Sequence, residues 1–388
     1  MKRTIITLAL LGLMSLQGFA KSMEQTSALI YYKQGDYTKA LEFAEAGRDK
    51  HVQEAPLYSL LVELYARQDR FTEMNEAYKL ISSVSDTEKN IQKALKSADQ
   101  VIGKIWVPNF NQGVENLTKA NEQFEAHDTT ACRASYDQAI AGFVQALKIK
   151  PEDHPTRKAL ANTWRTSCYT YPREEQLRRV GESVAIWQSM LEEHPDSSAF
   201  QLEIVKLWDI PRESRKTIEA ADLYTEHFGE NSEVLKLAGY AHSELANDES
   251  DEAQKKALKL EAIEYMQRAL SLDPTDPDLS FDMAFLYGQL NDFEKSLSQY
   301  TATLALPGLD PELTFECHKQ MGLVALMASQ ESDDESWLER SIAAYEKAYA
   351  LKPESAHVRN NLGIALLRLG AARGDAEMIG RGNGLIGG

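Results

Sequence analysis

One helical face recurs along this 388-residue chain and constrains its fold more than any other feature. The stretch ASYDQAIAGFVQALKIKPED at 134–153 carries apolar or small residues, such as Ala139 and Phe143, at helical spacing and then reaches a proline. Nearly the same face returns in KLEAIEYMQRALSLDPTDP at 259–277 and in LERSIAAYEKAYALKPES at 338–355. An amphipathic helix needs a partner to bury its apolar side. The recurrence therefore predicts an array of helices that pack on one another.

The recurring helices are in phase with one another. Each has a small residue, an aromatic residue or methionine, a second small residue and a proline, although two of the sets fit more loosely. The sets are Ala139, Phe143, Ala146, Pro151; Ala262, Met266, Ala269, Pro274; Ser341, Tyr345, Ala348, Pro353; and, more loosely, Ser296, Tyr300, Thr303, Pro307 and Ser183, Trp187, Met190, Pro195. A second kind of helix supplies the other half of each unit: Tyr31 and Tyr65 occupy equivalent places 34 residues apart.

This pattern resembles the tetratricopeptide repeat (TPR), a helix–turn–helix unit of about 34 residues. The resemblance covers nearly the whole chain from Ser22 onwards. It implies an all-α fold, a right-handed TPR superhelix (α-solenoid) of about nine helix–turn–helix repeats. A plain helical bundle is the alternative.

The first 20 residues form a separate segment. A cationic start, MKRT, precedes the apolar run IITLALLGLMSL, and the small residues Gly18 and Ala20 follow at the spacing that a signal peptidase recognises. We expect a secretory signal peptide at 1–20 and export to the periplasm or cell envelope of a bacterium. An uncleaved N-terminal membrane anchor is the alternative.

The repeat signature suggests further divisions. We predict an N-terminal TPR pair at 21–82, a linking helix or degenerate repeat at 83–102, and the main TPR array at 103–370. Residues 371–388 read as an incomplete terminal repeat with a Gly-rich tail that frays.

The charge of the chain restricts its partners. The formal net charge is −17, and it becomes −19 when Lys2 and Arg3 leave with the signal peptide. An acidic surface repels phosphate backbones and anionic lipid headgroups. We therefore expect no nucleic-acid partner and no membrane insertion after signal cleavage, whereas the oligomeric state stays open.

No pattern in the sequence predicts catalysis, a metal site or a cofactor. The eight histidines lack HxxxH spacing, and the acidic runs at 247–252 and 331–336 lack the glycine of a calcium loop. The glycines at 380–388 follow no strand, so they do not read as a phosphate loop. We predict a protein that is not an enzyme.

Three cysteines occur, without a CxxC pair. Cys132 and Cys168 each fall near the end of the first helix of consecutive units, so they are candidates for a disulfide in an exported protein. Two separate buried thiols are the alternative.

The resemblance also implies where a partner binds, because first helices line the concave face of TPR arrays. The residues it places there are aromatic, amide or basic, which suits a peptide main chain, apolar side chains or a carboxylate. They are Phe110, Asn111, Lys158, Asn162, Lys236, Tyr240, Phe281, Phe285, Asn360 and Asn361. Lys158 and Asn162 match the carboxylate clamp of chaperone-binding TPR proteins only in part.

We therefore expect a non-catalytic protein–protein interaction scaffold of the periplasm or cell envelope, which binds a peptide or a partner helix on its concave TPR face. The alternatives are a chaperone-like holder of exported or outer-membrane precursor proteins and an accessory subunit of an envelope enzyme.

Overall fold

The computed structural model describes residues 22–387, so the predicted signal peptide at 1–20 lies outside the described residues. Within 22–387 the chain forms α-helices and no strands. In chain order these are α1 (Met23–Gln34), α2 (Tyr37–Asp49), α3 (Ala55–Ala66), α4 (Phe71–Ile81), α5 (Glu88–Glu125), α6 (Thr129–Ile149), α7 (His154–Cys168), α8 (Arg173–Glu193), α9 (Ser198–Asp209), α10 (Ser214–Phe228), α11 (Ser232–Asp248), α12 (Glu252–Leu272), α13 (Pro277–Gln289), α14 (Phe293–Leu304), α15 (Pro311–Glu331), α16 (Ser336–Leu351), α17 (Ala356–Arg373) and α18 (Ala376–Gly387).

Short polar residues fix where many of these helices begin. At each such start a side-chain oxygen accepts a hydrogen bond from a backbone N–H of the first turn, which would otherwise lack an intrahelical partner. The capping residues include Ser22, Asp36, Thr87, Asp128, Asp153, Asn231, Asp251, Asp276, Asp310 and Ser355. The polar residues between the apolar runs therefore divide the sequence into helices.

The helices pack in consecutive pairs. α1 contacts α2, α3 contacts α4, and the same order continues through α17 and α18. Second helices also contact the first helix of the following pair, for example α14 with α15. The predicted all-α fold class of paired, repeated helices is confirmed. The repeat count and the handedness of the array stay predictions.

The chain divides into two compact units at Ile186 and Trp187. In unit 1, the apolar sides of α1–α4 and of the first half of α5 share one core, whose fully buried members include Leu61, Tyr65 and Ala98. The second half of α5 packs on α6 instead. Gly113 and Gly142 allow this close crossing, because a Cβ on Gly142 would lie 2.7 Å from the Gly113 nitrogen.

Helix α5 runs through the predicted boundary between 83–102 and 103–370. It has 38 residues and continues past Pro108. Ala94, Ala98 and Ile102 are buried at four-residue spacing, so one apolar face reaches the boundary without a break. The linking segment and the first helix of the main array are thus one element.

In unit 2 the helix pairs cross at small residues, and side-chain hydroxyls tie the crossings together. Ser296 Oγ on α14 donates to the Ala284 carbonyl on α13, and Ser341 Oγ on α16 donates to the Gly322 carbonyl on α15, both at 2.8 Å. Tyr300 and Tyr345, four residues after each serine, are fully buried. These are the small and aromatic positions predicted from the sequence.

The Gly-rich end of the chain is helical, whereas the sequence suggested an unfinished repeat with a frayed tail. Helix α18 packs on α17 and contributes Met378 and Leu385 to a shared core. Glycine permits this contact: a Cβ on Gly382 would lie 2.9 Å from the Gly363 carbonyl oxygen. Packing therefore compensates for the low helix propensity of glycine.

None of the helices between residues 22 and 387 has the length and apolar character needed to cross a bilayer.

Candidate functional site

The two serine–carbonyl bonds of unit 2 define equivalent positions on successive first helices. Ala284 of α13 and Gly322 of α15 each accept a hydrogen bond from a serine of the following helix. Gly363 of α17 takes the same place at its crossing with α18. The residues that follow these three positions should therefore share one face of the unit, because α13 contacts α15 and α15 contacts α17.

Those following residues are Phe285, Leu323 and Ile364, which we call the apolar row. Phe285 is 41% exposed and Ile364 is 40% exposed, whereas Leu323 is half-buried. Large apolar side chains that recur at the same place on adjacent helices are unlike single, scattered surface residues. The apolar row is thus a surface on which another apolar group can be buried.

Four residues before the apolar row lies a second set of equivalent positions, Phe281, Lys319 and Asn360. The Phe281 ring packs edge-on against Tyr300 with centroids 5.2 Å apart, so it belongs largely to the core. Lys319 forms an ion pair with Glu316 on its own helix. Asn360 is exposed and is free to contact a peptide main chain.

Asn361, predicted beside Asn360, has a structural role. Its Nδ2 donates to the hydroxyl of the buried Tyr345 at 3.0 Å. Burial raises the pKa of that tyrosine to about 12, so the hydroxyl keeps its proton and is a stable partner at neutral pH.

The structure brings Lys236 and Tyr240 of α11 against acidic residues at the start of α13, including its capping residue Asp276. Lys236 Nζ lies 2.6 Å from Asp276 Oδ2, and the Tyr240 hydroxyl donates to Asp282. Burial, together with nearby Asp278, raises the pKa of Asp282. Lys236 is thus already neutralised, and the surface here is more acidic than the sequence prediction assumed.

In unit 1 the predicted residues lie on two separate helices. The Phe110 ring of α5 stacks on Trp106, with centroids 4.8 Å apart, and packs at a tilt against Phe143 at 5.7 Å, which is a packing role. Asn111 of α5 and Lys158 of α7 are exposed. Asn162 is half-buried, and its carbonyl accepts a hydrogen bond from Thr166 Oγ1 at 2.8 Å.

Cys132 and Cys168 are both free and buried in the structure, and their surroundings differ. Cys132 lies near the start of the second helix α6, not near the end of a first helix as the sequence suggested, and it packs with Ala120 and Tyr136. Cys168 Sγ lies 3.2 Å from the Trp164 carbonyl oxygen, and burial raises the pKa of this thiol to about 11. The structure corresponds to the alternative of two separate thiols.

Sequence reasoning missed Leu323, Ile364 and Asp282. The internal repeat could have identified Leu323 and Ile364. The segments GLVALMAS at 322–329 and GIALLRLG at 363–370 align with a shift of 41 residues, which makes Leu323 and Ile364 equivalent positions. Asp282 lies directly beside the predicted Phe281. Its importance comes from its contact with Tyr240 of the preceding pair, which the sequence does not show.

Consecutive helix pairs with small residues at their crossings define an all-α helical-repeat architecture within residues 22–387. No family model matches the chain. Among curated proteins, the peroxisomal targeting signal receptor of Eremothecium gossypii is 30% identical over 116 residues. This match covers 30% of the chain and 18% of the receptor, so the chain spans less than a fifth of that relative's length.

Several solved TPR structures are also similar to this chain. TTC0263, a TPR protein of Thermus thermophilus, is 16% identical with a TM-score of 0.34, and the match covers 53% of this chain and 99% of that one. YrrB, described as a TPR protein with an unusual peptide-binding site, is 14% identical with a TM-score of 0.40 and coverages of 56% and 96%. PilF of Pseudomonas aeruginosa is 13% identical with a TM-score of 0.38 and coverages of 65% and 97%.

Proposed function

We propose that this protein is an exported, non-catalytic scaffold that holds a segment of another polypeptide against the first-helix face of unit 2. The apolar row of Phe285, Leu323 and Ile364 carries the proposal. Exposed Phe285 and Ile364, with the half-buried Leu323 between them, place apolar side chains on three successive first helices, where the apolar side chains of a partner can pack.

Repeat architecture supports a binding role. In unit 2 each helix pair contacts mainly its neighbours, so successive pairs add to one continuous surface. A polypeptide is an extended ligand, and it matches such a surface better than a compact substrate does. The curated relative carries the name of a receptor for a targeting signal, and recognition of a polypeptide segment is also what we propose for this chain.

The neighbouring polar groups suggest how the segment is held. Exposed Asn360, one turn before Ile364, can pair with a peptide main chain as both donor and acceptor. At the other end, Asp278 and Asp282 leave an acidic excess beside Phe285 after Lys236 has neutralised Asp276. We therefore expect a partner segment with apolar side chains and a basic group near one end.

A peptide array probed with the full chain tests this proposal. We expect bound peptides to combine spaced apolar residues with a Lys or Arg. The double change Phe285→Ser and Ile364→Ser should weaken binding about tenfold or more, because each removes apolar area that binding buries. Leu223→Ser is the matched control: Leu223 is 51% exposed but lies on the second helix α10.

Equal loss of binding in the control, or full binding by the double variant, would contradict the proposed surface. Circular dichroism checks that the helices are intact in each protein. Because the substituted side chains are exposed, folding should be preserved.

The proposed location rests on residues 1–20 and has its own test. We expect the protein in the periplasmic fraction of a bacterial host, with a mature N-terminus at Lys21. A protein that keeps Met1 and remains with the membrane after salt washing would instead match the anchor alternative.

A further inference from the structure

A small cavity lies in unit 2 between the second helices α14 and α16, with α15 as its floor. Its volume is about 390 Å³, near the lower end of the roughly 300–1,000 Å³ range of ligand pockets. None of the residues that line it belongs to the apolar row. The cavity is therefore separate from the surface proposed to bind polypeptide.

Three polar side chains line this cavity and make no side-chain hydrogen bond or ion pair within residues 22–387. They are Ser298 of α14, His318 of α15 and Lys347 of α16, one from each helix. Lys347 is an exposed residue. Other lysines of unit 2, such as Lys319 and Lys352, are paired with glutamates. The cavity thus collects three groups that can donate hydrogen bonds and have unused capacity.

His318 presents one particular nitrogen to the cavity. Its Nδ1 is buried without a hydrogen-bond partner, so Nε2 is the ring nitrogen that an incoming group can reach. Burial, reinforced by the nearby charge of Lys347, lowers the pKa of His318. The ring is therefore neutral at pH 7, and a proton on Nε2 leaves only a lone pair at the buried Nδ1.

The charged side chains that line the cavity favour a ligand with a single negative charge. The two carboxylate oxygens of Glu294 accept hydrogen bonds from Nη1 and Nη2 of Arg340, at 2.7 and 2.9 Å, and this bidentate pair is neutral overall. Lys347 then leaves one uncompensated positive charge in a chain whose net charge is −17. A phosphate dianion would require a second free cation. A carboxylate requires one.

The rest of the lining is apolar apart from Thr301, whose hydroxyl already donates to the Leu297 carbonyl of its own helix. Leu297 and Met321 line the cavity from α14 and α15, and Ala344 lines it from α16. Small apolar side chains of this kind accommodate a short hydrocarbon body.

We propose that this cavity binds a small organic acid with one carboxylate and a short aliphatic chain. The carboxylate accepts hydrogen bonds from Lys347 Nζ, His318 Nε2 and Ser298 Oγ, and the aliphatic chain packs against Leu297 and Met321. The site is an addition to the polypeptide-binding function and does not depend on it.

Calorimetry with the full chain and sodium hexanoate tests the proposal. Hexanoate should bind, hexanamide should bind at least about tenfold more weakly, and inorganic phosphate should not displace hexanoate. The Nε2 resonance of His318 should shift on addition of hexanoate. Absence of hexanoate binding, equal binding of hexanamide, or displacement by phosphate would each overturn the assignment.

Lys347→Met and Lys295→Met form a matched pair of variants. Both remove an exposed lysine from a second helix, but Lys295 pairs with Asp292 outside the cavity. We expect Lys347→Met to weaken hexanoate binding about tenfold or more and Lys295→Met to leave it unchanged. Equal affinities in the two variants would overturn the proposed role of Lys347.

Discussion

Arg179 of α8 is a buried cation whose removal should destabilise unit 1. Its side chain is 3% exposed and donates to Asp137 Oδ1 at 2.6 Å and to Glu175 Oε1 at 2.9 Å. Nη1 donates to Ser167 Oγ at 2.9 Å, and the guanidinium carbon lies 3.7 Å from the centroid of the Tyr171 ring. Arg179 therefore connects α6, α7 and α8.

Arg179→Met keeps most of the side-chain volume and removes the charge with its donors. Each hydrogen bond to a charged group contributes roughly 1.5–3 kcal/mol, and a desolvated cation–π contact about 2 kcal/mol. The sum overstates the loss, because Asp137 is 56% exposed and Glu175 30% exposed, so both carboxylates regain water. We expect the free energy of unfolding to fall by about 3 kcal/mol.

Arg178→Met is the neighbouring control. Arg178 also binds Glu175, at 2.6 Å, but its side chain is 49% exposed. Exposed ion pairs contribute about 0–1 kcal/mol, so this variant should stay close to wild type. Hydrogen exchange of the amides in α7 and α8 measures the difference locally, which suits an array that need not unfold in one step. If the two variants lose the same stability, the reasoning from burial is refuted.

Three further changes test other parts of the fold. Gly142→Ala should lower the free energy of unfolding, measured with denaturant, by about 1–3 kcal/mol, because its Cβ would meet the backbone of α5. Gly103→Ala has open space around it and should stabilise α5 by roughly 0.5–1 kcal/mol. Equal effects of the two changes would contradict the close crossing. Hydrogen bonds from arginine lower the pKa of Glu175, so its contribution to stability is complete above the unfolded pKa of about 4.3 and is lost as the pH falls through the lower folded value. The stability difference between wild type and Glu175→Gln should therefore shrink in acid unfolding experiments below about pH 4, and a constant difference would contradict this. Cys168, whose pKa is raised to about 11, should react slowly with iodoacetamide in the native protein. Unfolding without reductant should make all three thiols available for alkylation. Alkylation of one thiol alone would show that the disulfide alternative is right.

The repeated pairs could be predicted because their determinants are local. Ser296 and Ser341, with the tyrosines four residues later, recur at fixed spacing, and that spacing decides which residues meet at a crossing. The same logic covers the capping residues, because a cap acts within three residues of itself.

Other features depend on contacts that spacing does not encode. The Gly-rich segment at 376–387 has low helix propensity, and only its packing against α17 explains why it is helical. For the proposed binding residues, the sequence placed Phe281 and Phe285 together on α13 but could not separate Phe281, which packs on Tyr300, from the exposed Phe285. That distinction is set by Tyr300 of α14, the partner helix of α13 in the same pair.

The length of α5 has a consequence for how unit 1 can be divided. At about 1.5 Å per residue, its 38 residues extend for about 57 Å, with one end on α3 and α4 and the other on α6. A truncation that removes residues 22–81 would expose Ala94, Ala98 and Ile102 to solvent, whereas the C-terminal half of α5 would keep its contacts. Helix α5 thus belongs to two packed groups of helices at once. The repeats of unit 1 are therefore not independent modules, and one of them cannot be deleted without exposing the apolar face of another.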